Sequence, residues 1–308
     1  MRDYKLVIES TMVLLHRVAS KLAPPRWMVS TKPFTDSRAS LKLRPVKNAA
    51  LLESDPCAWK EQQQDKVDMS QDEVEVHYSQ LVAPLQVRPP FVYGLGLNYA
   101  SHSAETKMDV PKLPIVIGKA PTGLIGPSQS ILIPKVCQEL EVDFEVELAI
   151  VIGKECKNVS KADALNYVFG YTCANDVSAR RWQGKKGGGQ WTRAKSFDTF
   201  LPVGPSILLE NATVDPQAMT IQTKVAKKGT HPQTMQNANT KDMIFGVAAL
   251  VEFLSQDTTL LPWTLILTGT PAGVGYTRQP PVYLEAGDTV QVEIDTIGAL
   301  FNPVGASE

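Results

Sequence analysis

The most informative part of the sequence for the fold is Asp143-Phe144-Glu145-Val146-Glu147-Leu148-Ala149-Ile150-Val151-Ile152, an apolar run with two glutamates near its start. An apolar run of this length predicts a buried strand, and because side chains alternate across a strand, Glu145 and Glu147 face the same side. Two like charges at the start of a buried strand repel each other and resist desolvation. The pair therefore predicts a compensating cation, for which a divalent metal ion is the simplest choice.

A third carboxylate follows some thirty positions later, at the end of another apolar segment, residues 167–173. If Asp176 joins the pair, three carboxylates leave about three octahedral positions of a hard cation such as Mg²⁺ or Mn²⁺ for water or substrate. Two alternatives stay open. Glu145 and Glu147 belong to an acidic alternation that begins at Glu141, which is also typical of a strand with one face in water. Asp176 has the position of an N-cap for a helix beginning at Val177.

A candidate proton-transfer pair lies in the segment that follows the glycine-containing run 91–97. His102 and Glu105 are three residues apart, so on a helix they share one face. An imidazole oriented by a carboxylate accepts a proton near neutral pH, which makes the pair a candidate general base. The alternative is an exposed polar pair on a helix.

Lys195 lies between Trp191 and Phe197 and precedes a strand-like segment. A lysine in this position is suited to stabilising an enolate or oxyanion, although most lysines are simply solvated. The preceding segment, residues 185–190, contains three consecutive glycines and predicts either a lid over a site or a flexible linker.

Composition limits the functional classes. The chain has 308 residues and a formal net charge of -1, which gives no reason to expect nucleic acid or an acidic membrane as a partner and favours a small-molecule substrate. Its four cysteines are far apart, so neither a thiolate zinc site nor a disulfide framework is indicated. Charged residues or glycines interrupt every long apolar run, which predicts no transmembrane segment.

The first residues of the chain bear on its location. Basic residues surround an apolar stretch, Met12-Val13-Leu14-Leu15, in a pattern with some likeness to an organellar leader. Asp3 and Glu9 weaken that interpretation because such leaders are poor in acidic residues. The sequence therefore predicts the cytosol, with the mitochondrion as the alternative.

The composition of the sequence changes at Pro89-Pro90. Residues 1–88 contain no glycine and predict an N-terminal extension, whereas residues 89–308 consist of short apolar runs separated by Gly and Pro, which predict a strand-rich catalytic domain. Helical patterns are fewer, at 98–107, 162–167, 178–183 and 240–254. Neither GxGxxG nor a P-loop is present, and regular βαβ alternation is absent. These features predict an α+β fold.

Over roughly residues 89 to 304, the sequence resembles the fumarylacetoacetate hydrolase family. The segments that carry the resemblance are Gly94-Leu95-Gly96-Leu97-Asn98-Tyr99 with His102 and Glu105, Gly118-Lys119-Ala120-Pro121-Thr122, Asp143-Phe144-Glu145-Val146-Glu147-Leu148, Asn175-Asp176-Val177-Ser178-Ala179-Arg180, Lys195-Ser196-Phe197-Asp198, and Leu267-Thr268-Gly269-Thr270-Pro271-Ala272-Gly273-Val274-Gly275. The segments GGGQW and KSFDTF resemble the branch of family members called domain-containing protein 2.

The resemblance implies a mixed β-roll or β-sandwich domain that forms a homodimer. It implies that Mg²⁺, or Mn²⁺ or Ca²⁺, is held by the three carboxylates named above, and that His102 and Glu105 form a water-activating dyad. It further implies substrate contacts. The implied residues for the oxo-acid end and the pocket wall are Arg180, Gln183, Lys195 and Thr270.

Members of this family act on 2-oxo acids or 1,3-dicarbonyl compounds through a metal-stabilised enolate. The resemblance therefore predicts C–C hydrolysis of an acylpyruvate or fumarylacetoacetate type, with oxaloacetate keto-enol tautomerisation or decarboxylation as the alternative. A non-catalytic metal-binding member is a further alternative from another class. The chain departs from the family pattern at Arg181, where an acidic residue is usual, and this departure predicts extra positive charge beside the site.

Overall fold

The computed structural model describes residues 13–19, 25–54, 56–61, 68, 70–85, 88–137 and 139–307. Strands predominate in these residues and helices are few and short, which confirms the α+β class. The helices are α1 (Ala49–Ser54), α2 (Pro56–Glu61), α3 (Ala100–Thr106), α4 (Arg180–Gln183), α5 (Trp191–Lys195) and α6 (Val247–Ser255). Within the described ranges, no helix has the length and apolar character required to cross a bilayer.

A large mixed sheet forms the centre of the molecule. Its strands are β1 (Leu14–Val18), β2 (Arg26–Ser30), β3 (Ser40–Pro45), β4 (Val74–His77), β5 (Leu81–Val82), β6 (Val92–Gly96), β7 (Ile115–Lys119), β8 (Leu124–Ile125), β11 (Val146–Ile152), β12 (Val168–Asn175), β14 (Leu201–Leu209) and β17 (Leu265–Leu267). Along the sheet their order is β4-β3-β2-β1-β14-β12-β11-β17-β6-β7, with β5 on β1 and β8 on β14.

A second sheet packs beside the first, and a short strand pair forms a separate two-stranded sheet. The second sheet contains β9 (Ile131–Ile133), β15 (Thr220–Ala226), β16 (Gln233–Asn239), β18 (Thr289–Ile294) and β19 (Gly298–Ala306), in the order β16-β15-β18-β19-β9. The pair consists of β10 (Val142–Asp143) and β13 (Ser178–Ala179).

The central strand β11 is buried on both faces. Leu148, Ile150 and Ile152 pack into one apolar core together with side chains of the second sheet and of α6. Ala149 and Val151 point the other way, into a core built with the N-terminal strands and α1 and α2. Burial on both faces explains why the strand reads as a continuous apolar run rather than an alternating one.

The residues before position 89 extend the central sheet. Strand β1 pairs with β14 in antiparallel register, Leu14 opposite Leu208 and Leu15 opposite Ile207, and β2 then pairs with β1. Trp27 of β2 stacks on Trp263, with ring centroids 6.0 Å apart. The described part of the N-terminal region is thus packed against the same sheet that carries β11, while the division of the chain at residue 88 stays a prediction.

All four predicted helices are shorter than their sequence patterns, the one at 162–167 being a 3-10 helix over Ala164–Tyr167, and two of them show why. In the segment 178–183, Ser178 and Ala179 form β13, and only the residues from Arg180 onward are helical. In the segment 240–254, α6 begins at Val247 because the backbone N–H groups of Ile244 and Phe245 donate to Asn98 instead of to a helix. In both cases tertiary hydrogen bonds outweigh the helical propensity.

Candidate active site

The three acidic residues predicted as metal ligands meet at the paired ends of β11 and β12. Val146 lies opposite Asn175 in the ladder, and the N–H of Asp176 donates to the carbonyl of Glu145 at 2.8 Å. One carboxylate oxygen from each of Glu145, Glu147 and Asp176 lies within 4.8 Å of the other two. All three residues are at most 5% exposed, so the alternative of an acidic face in water is wrong.

Asp176 does not cap a helix. The residues that follow it form β13, and its carboxylate points into the acidic cluster. The cap was a reasonable expectation because Asp at the end of an apolar run is typical of an N-cap. The strand pair β10–β13 takes the place of the expected helix.

Lys195 lies at the end of α5 and is only 4% exposed, so the solvated alternative is also wrong. Its Nζ donates to Glu145 Oε2 at 2.8 Å, to Asp176 Oδ2 at 2.5 Å and to Ser178 Oγ at 2.8 Å. Its three protons therefore have three acceptors. Asp176 and Glu145 outweigh the effect of burial and raise the pKa of Lys195, which stays charged.

A second buried lysine, Lys119, lies at the end of β7 and belongs to one of the segments that carry the family resemblance. Its Nζ donates to Asp176 Oδ1 at 2.7 Å, to the carbonyl of Val177 at 3.2 Å and to the carbonyl of Lys195 at 2.5 Å. This single ammonium thus joins the end of β7, the segment after β12 and the end of α5. Its burial depends on these three segments meeting, which no local sequence pattern reveals.

Arg180 begins α4 beside the strand pair β10–β13. Its Nη1 lies 2.7 Å from Glu145 Oε1, and its Nε donates to Asp143 Oδ2 at 2.8 Å. Nη1 also donates to Gln183 Oε1 at 2.8 Å. Nη2 is buried and has no hydrogen-bond partner among the described residues. The ring of Tyr276 lies under the guanidinium, 4.4 Å from Cζ to the ring centroid.

The two glutamates of the acidic cluster have opposite electrostatic environments. Burial alone would raise the pKa of Glu145, but Lys195 and Arg180 outweigh burial and lower it to about 2. Burial, followed by the neighbouring Asp176 and Glu145 charges, raises the pKa of Glu147 well above its ordinary value. Glu147 is therefore the member of the cluster that lacks a cation of its own.

These donors fit a divalent metal ion. Carboxylate oxygens are the ligands that Mg²⁺ and Mn²⁺ prefer, the three here lie within 4.8 Å of one another, and a divalent ion would supply the charge that Glu147 lacks. The cluster can therefore hold such an ion. The identity of the ion stays a prediction.

His102 and Glu105 lie on α3, as predicted from their spacing. His102 Nδ1 is 3.1 Å from Glu105 Oε2, and His102 is 8% exposed, so the pair is not an ordinary exposed one. The other carboxylate oxygen, Oε1, accepts from the N–H of Gly273 at 3.0 Å and from Thr277 Oγ1 at 2.8 Å. The carboxylate is thus held on both oxygens.

One loop, residues 269–277, supplies backbone donors to three separate acids. The N–H of Gly269 donates to Glu147 Oε2 at 2.6 Å, and the N–H groups of Gly275 and Tyr276 donate to the two carboxylate oxygens of Asp143. The loop continues β17, which pairs with β11, so its first residues lie beside Glu147. Gly269 has a φ of +89°, and a Cβ there would lie 2.8 Å from that of Asn98, so glycine is required.

Thr270 and Gln236 form a buried bridge between this loop and β11. Thr270 Oγ1 donates to the carbonyl of Val146 at 2.9 Å and accepts from Gln236 Nε2 at 2.8 Å. Gln236 Oε1 in turn accepts from the N–H of Val146 at 3.0 Å. Sequence reasoning missed Gln236, because a glutamine in an exposed-looking strand carries no distinctive signal.

A cavity of about 290 Å³ opens above these residues. The predicted site residues on its wall are His102, Glu145, Arg180, Gln183, Lys195 and Thr270. Apolar and aromatic side chains complete the lining, among them Leu97, Met108, Trp191 and Tyr276. Glu105, Glu147 and Asp176 do not line the cavity and support its wall from behind.

Arg181, the departure from the family pattern, is not on the cavity wall. Its Nε lies 3.2 Å from Glu141 Oε1, and its Nη2 donates to the carbonyl of Val136 at 2.8 Å. Its guanidinium also lies over the ring of Trp182. The predicted extra charge beside the site is therefore paired with Glu141 outside the cavity.

The site combines an acidic cluster that can hold a metal ion with a histidine–glutamate pair, an arrangement typical of an enzyme. The chain belongs to the fumarylacetoacetate hydrolase C-terminal family, whose model matches residues 91–305. Oxaloacetate tautomerase fahd2, mitochondrial, from Xenopus laevis is 46% identical over 224 residues, which cover 73% of this chain and 68% of the relative.

Solved structures of the family agree with the fold. A fumarylacetoacetate hydrolase from Exiguobacterium antarcticum is 32% identical, with a TM-score of 0.78, and covers 96% of this chain and 100% of its own. A 2-hydroxyhepta-2,4-diene-1,7-dioate isomerase from Mycobacterium marinum is 36% identical, with a TM-score of 0.72, and covers 96% of this chain and 99% of its own. The chain is therefore a family enzyme, and the non-catalytic alternative is set aside.

Proposed function

We propose that the protein is an oxaloacetate keto-enol tautomerase that depends on a divalent metal ion. The observation that carries the proposal is the meeting of Lys195, Arg180 and His102 at one cavity with Glu145, the member of the acidic cluster on the cavity wall. The Xenopus relative, an oxaloacetate tautomerase by name, supports oxaloacetate as substrate. The sequence favoured C–C hydrolysis, and the comparisons support its alternative, tautomerisation, better.

Glu145, Glu147 and Asp176 would hold the metal ion. When bound, the ion supplies a Lewis acid that stabilises negative charge on the substrate oxygen. Lys119 and Lys195 keep the ligands in place from the protein side, because each ammonium donates to a different oxygen of Asp176. Glu145 and Asp176 are thus fixed by buried ion pairs before substrate enters, and Glu147 is held by the N–H of Gly269.

Arg180 is the residue best suited to bind a substrate carboxylate. Its Nη2 is the atom of the guanidinium that is left without a partner among the described residues, and Arg180 is on the cavity wall. Charge-assisted hydrogen bonds from arginine to carboxylate are among the stronger ones in proteins. Gln183, which is hydrogen-bonded to Arg180, lines the same part of the cavity.

Tautomerisation requires a proton to leave C3 of the keto form and a proton to reach the oxygen on C2. His102 lines the cavity and is held by Glu105 at Nδ1, so Nε2 of the neutral ring is the atom that accepts the C3 proton. Lys195, the lysine among the described wall residues, places a positive charge beside the cavity for the developing enolate oxygen, and the proton that His102 takes from C3 is the one returned to that oxygen. The reaction needs no water molecule, whereas hydrolysis does.

The test is an assay of purified, metal-loaded protein with oxaloacetate, acetylpyruvate and fumarylacetoacetate. Loss of enol absorbance without release of CO₂ or of a second acid indicates tautomerisation. Release of CO₂ identifies a decarboxylase, and release of a second acid from either dioxo substrate identifies a C–C hydrolase. His102→Gln should abolish most of the tautomerase rate, and an unchanged rate in this variant contradicts the role given to His102.

We also propose a mitochondrial location and a homodimer. The location is supported by the Xenopus relative, which is named as mitochondrial, whereas the related proteins give no support to the cytosol. The homodimer is supported by exposed apolar residues beside the edge strand β7, namely Phe91, Met108, Val110, Leu113, Ile115 and Val116. Fluorescence microscopy of the tagged chain and sedimentation velocity test these two proposals.

A further inference from the structure

Thr277 has a contact with the proposed proton-transfer pair that the mechanism above does not use. The carboxylate of Glu105 has three donors: His102 Nδ1 at one oxygen, and the N–H of Gly273 and the hydroxyl of Thr277 at the other. Thr277 Oγ1 lies 2.8 Å from Glu105 Oε1. Without this hydroxyl, Oε1 would keep only the Gly273 N–H.

The hydroxyl has a single proton and two acceptors within reach. The carbonyl of Val274, three residues earlier, lies 2.9 Å from Thr277 Oγ1, and Glu105 Oε1 lies 2.8 Å from it. Hydrogen bonds to a charged acceptor are shorter and about twice as strong as those between neutral groups. The proton therefore goes to Glu105.

The loop that carries Thr277 is itself held firmly. The N–H groups of Gly275 and Tyr276 donate to the buried Asp143 carboxylate at 2.8 Å and 3.0 Å. Gly273 has a φ of +100°, and a Cβ there would lie 2.2 Å from the carbonyl oxygen of Met235, so the loop fits closely against β16. A fixed loop places the hydroxyl at a fixed point.

We propose that Thr277 is a positioning residue for the His102–Glu105 pair. It fixes the rotation of the Glu105 carboxylate so that Oε2 faces His102 Nδ1, which sets the tautomer of the imidazole and leaves Nε2 free to accept a proton in the cavity. The catalytic part of this inference rests on the proposed function, since it assumes that His102 moves the C3 proton.

The test compares three variants with the wild type. Thr277→Val removes the hydroxyl and keeps the shape of the side chain, and Thr277→Ser restores the hydroxyl. Thr230→Val is the matched control, because Thr230 Oγ1 donates to the carbonyl of Lys227, also three residues earlier, at 2.9 Å, in an exposed turn without contact to the pair. The Thr230→Val control separates the effect of losing a hydrogen bond within a turn from the effect of losing the hydrogen bond to Glu105.

We expect Thr277→Val to lower kcat for oxaloacetate tautomerisation by about tenfold to a hundredfold, the range for a displaced catalytic group. KM and the Kd for Mn²⁺, measured by calorimetry, should stay within about twofold, since Thr277 contacts no metal ligand. Thr277→Ser should restore most of kcat, and Thr230→Val should match the wild type. An unchanged kcat in Thr277→Val, failure of serine to rescue it, or a matching rise in the Kd for Mn²⁺ overturns the proposal.

The tautomer of His102 provides a readout that does not depend on the reaction. Long-range ¹H–¹⁵N NMR spectra resolve protonated and unprotonated ring nitrogens, and the chain has only four histidines to assign. We expect the wild type and Thr277→Ser to show a single His102 form protonated at Nδ1, and Thr277→Val to show a mixture. If the wild type fails to interconvert oxaloacetate, the proposed function fails, while an unchanged spectrum in Thr277→Val overturns the positioning role on its own.

Discussion

The two sides of the cavity hold their charged groups by different means. On the strand side, where β11 and β12 end, Glu145 and Asp176 are fixed by the ammonium groups of Lys119 and Lys195 and by the guanidinium group of Arg180. On the loop side, Glu105 is fixed by a backbone N–H and a hydroxyl of residues 269–277. Full charges in a buried place interact strongly, whereas the neutral donors chiefly set orientation.

The two sides of the cavity therefore have different functions. A change on the strand side alters the charge balance of a buried cluster and therefore affects metal binding and stability together. A change at Thr277, on the loop side, is expected to alter the geometry of proton transfer and to leave the fold and the metal site intact. The following experiments test this division, with the largest expected effect first.

Glu145→Ala removes a carboxylate that faces both the cavity and two buried cations. We expect loss of Mn²⁺ binding and a fall in tautomerase rate of about a thousandfold, because several kcal/mol of Lewis-acid stabilisation are lost with the ion. Calorimetry and the enol assay measure the two effects, and complete chelation of the wild type should give the same rate. Glu293→Ala, in a half-buried surface pair, is the control. Full activity after chelation contradicts the metal-dependent function.

Lys119→Met leaves Asp176 and two backbone carbonyls without their buried donor. We expect the free energy of unfolding to fall by about 3–5 kcal/mol, the usual cost of breaking a buried ion pair. Urea denaturation of the metal-free protein measures it. Lys224→Met removes the half-exposed pair with Glu293 and should cost only about 0.2–1 kcal/mol. Equal losses in the two variants would show that Lys119 is no more important than a surface lysine.

Glu147→Gln tests, through the pH dependence of the free energy of unfolding, whether Glu147 lacks a neighbouring cation. The folded protein raises the pKa of Glu147, so it keeps a proton that the unfolded chain releases above its ordinary pKa of 4.5. The stability that this proton provides is therefore full below about pH 4.5 and decreases as the pH rises, by up to about 1.4 kcal/mol per pH unit. In metal-free protein, Glu147→Gln should remove this decrease.

The control for this experiment is the same substitution at the neighbouring glutamate, Glu145→Gln. The pKa of Glu145 is lowered to about 2, so its contribution is full above pH 4.5 and is lost as the pH falls towards 2. Glu145→Gln should therefore change the acid side of the stability curve and leave the decrease above pH 4.5 in place. Two variants with the same pH profile would contradict the opposite environments of the two glutamates.

Arg181→Gln should have the smallest effect. Because Arg181 pairs with Glu141 and does not line the cavity, we expect kcat/KM for oxaloacetate to stay within about twofold of the wild type. Glutamine keeps a donor for the buried Glu141 carboxylate. A clear change in substrate charge preference would show that Arg181 acts on the site after all.

Much of the fold could be predicted from the sequence where the signal is local. The apolar run after Glu145 is the strand β11, and residues 289–294, whose side chains alternate between polar and apolar, form β18. The helix of His102 and Glu105 also forms, one to two residues shorter at its ends than predicted. Such elements are predictable because side-chain periodicity records which face is buried.

Other parts of the site could not be predicted because they depend on contacts between distant segments. The local sequence around Lys119 is that of an ordinary strand lysine. Its role depends on β7, α5 and the end of β12 lying around it in the fold. Asp143 reads as one of four alternating acids until β10 pairs with β13 and places it beside Arg180. Gln236 and Thr277 give no local signal at all.

The sequence by itself determined the buried acidic strand, the candidate acids and the helix that carries His102. Only the tertiary structure decided how the two glutamates of the opening stretch differ. Glu145 and Glu147 are two residues apart in the same apolar run, yet the pKa of the first is lowered and that of the second is raised. The reason is that their partners, at positions 180, 195 and 269, come from distant parts of the chain, and electrostatic energy depends on distance in space.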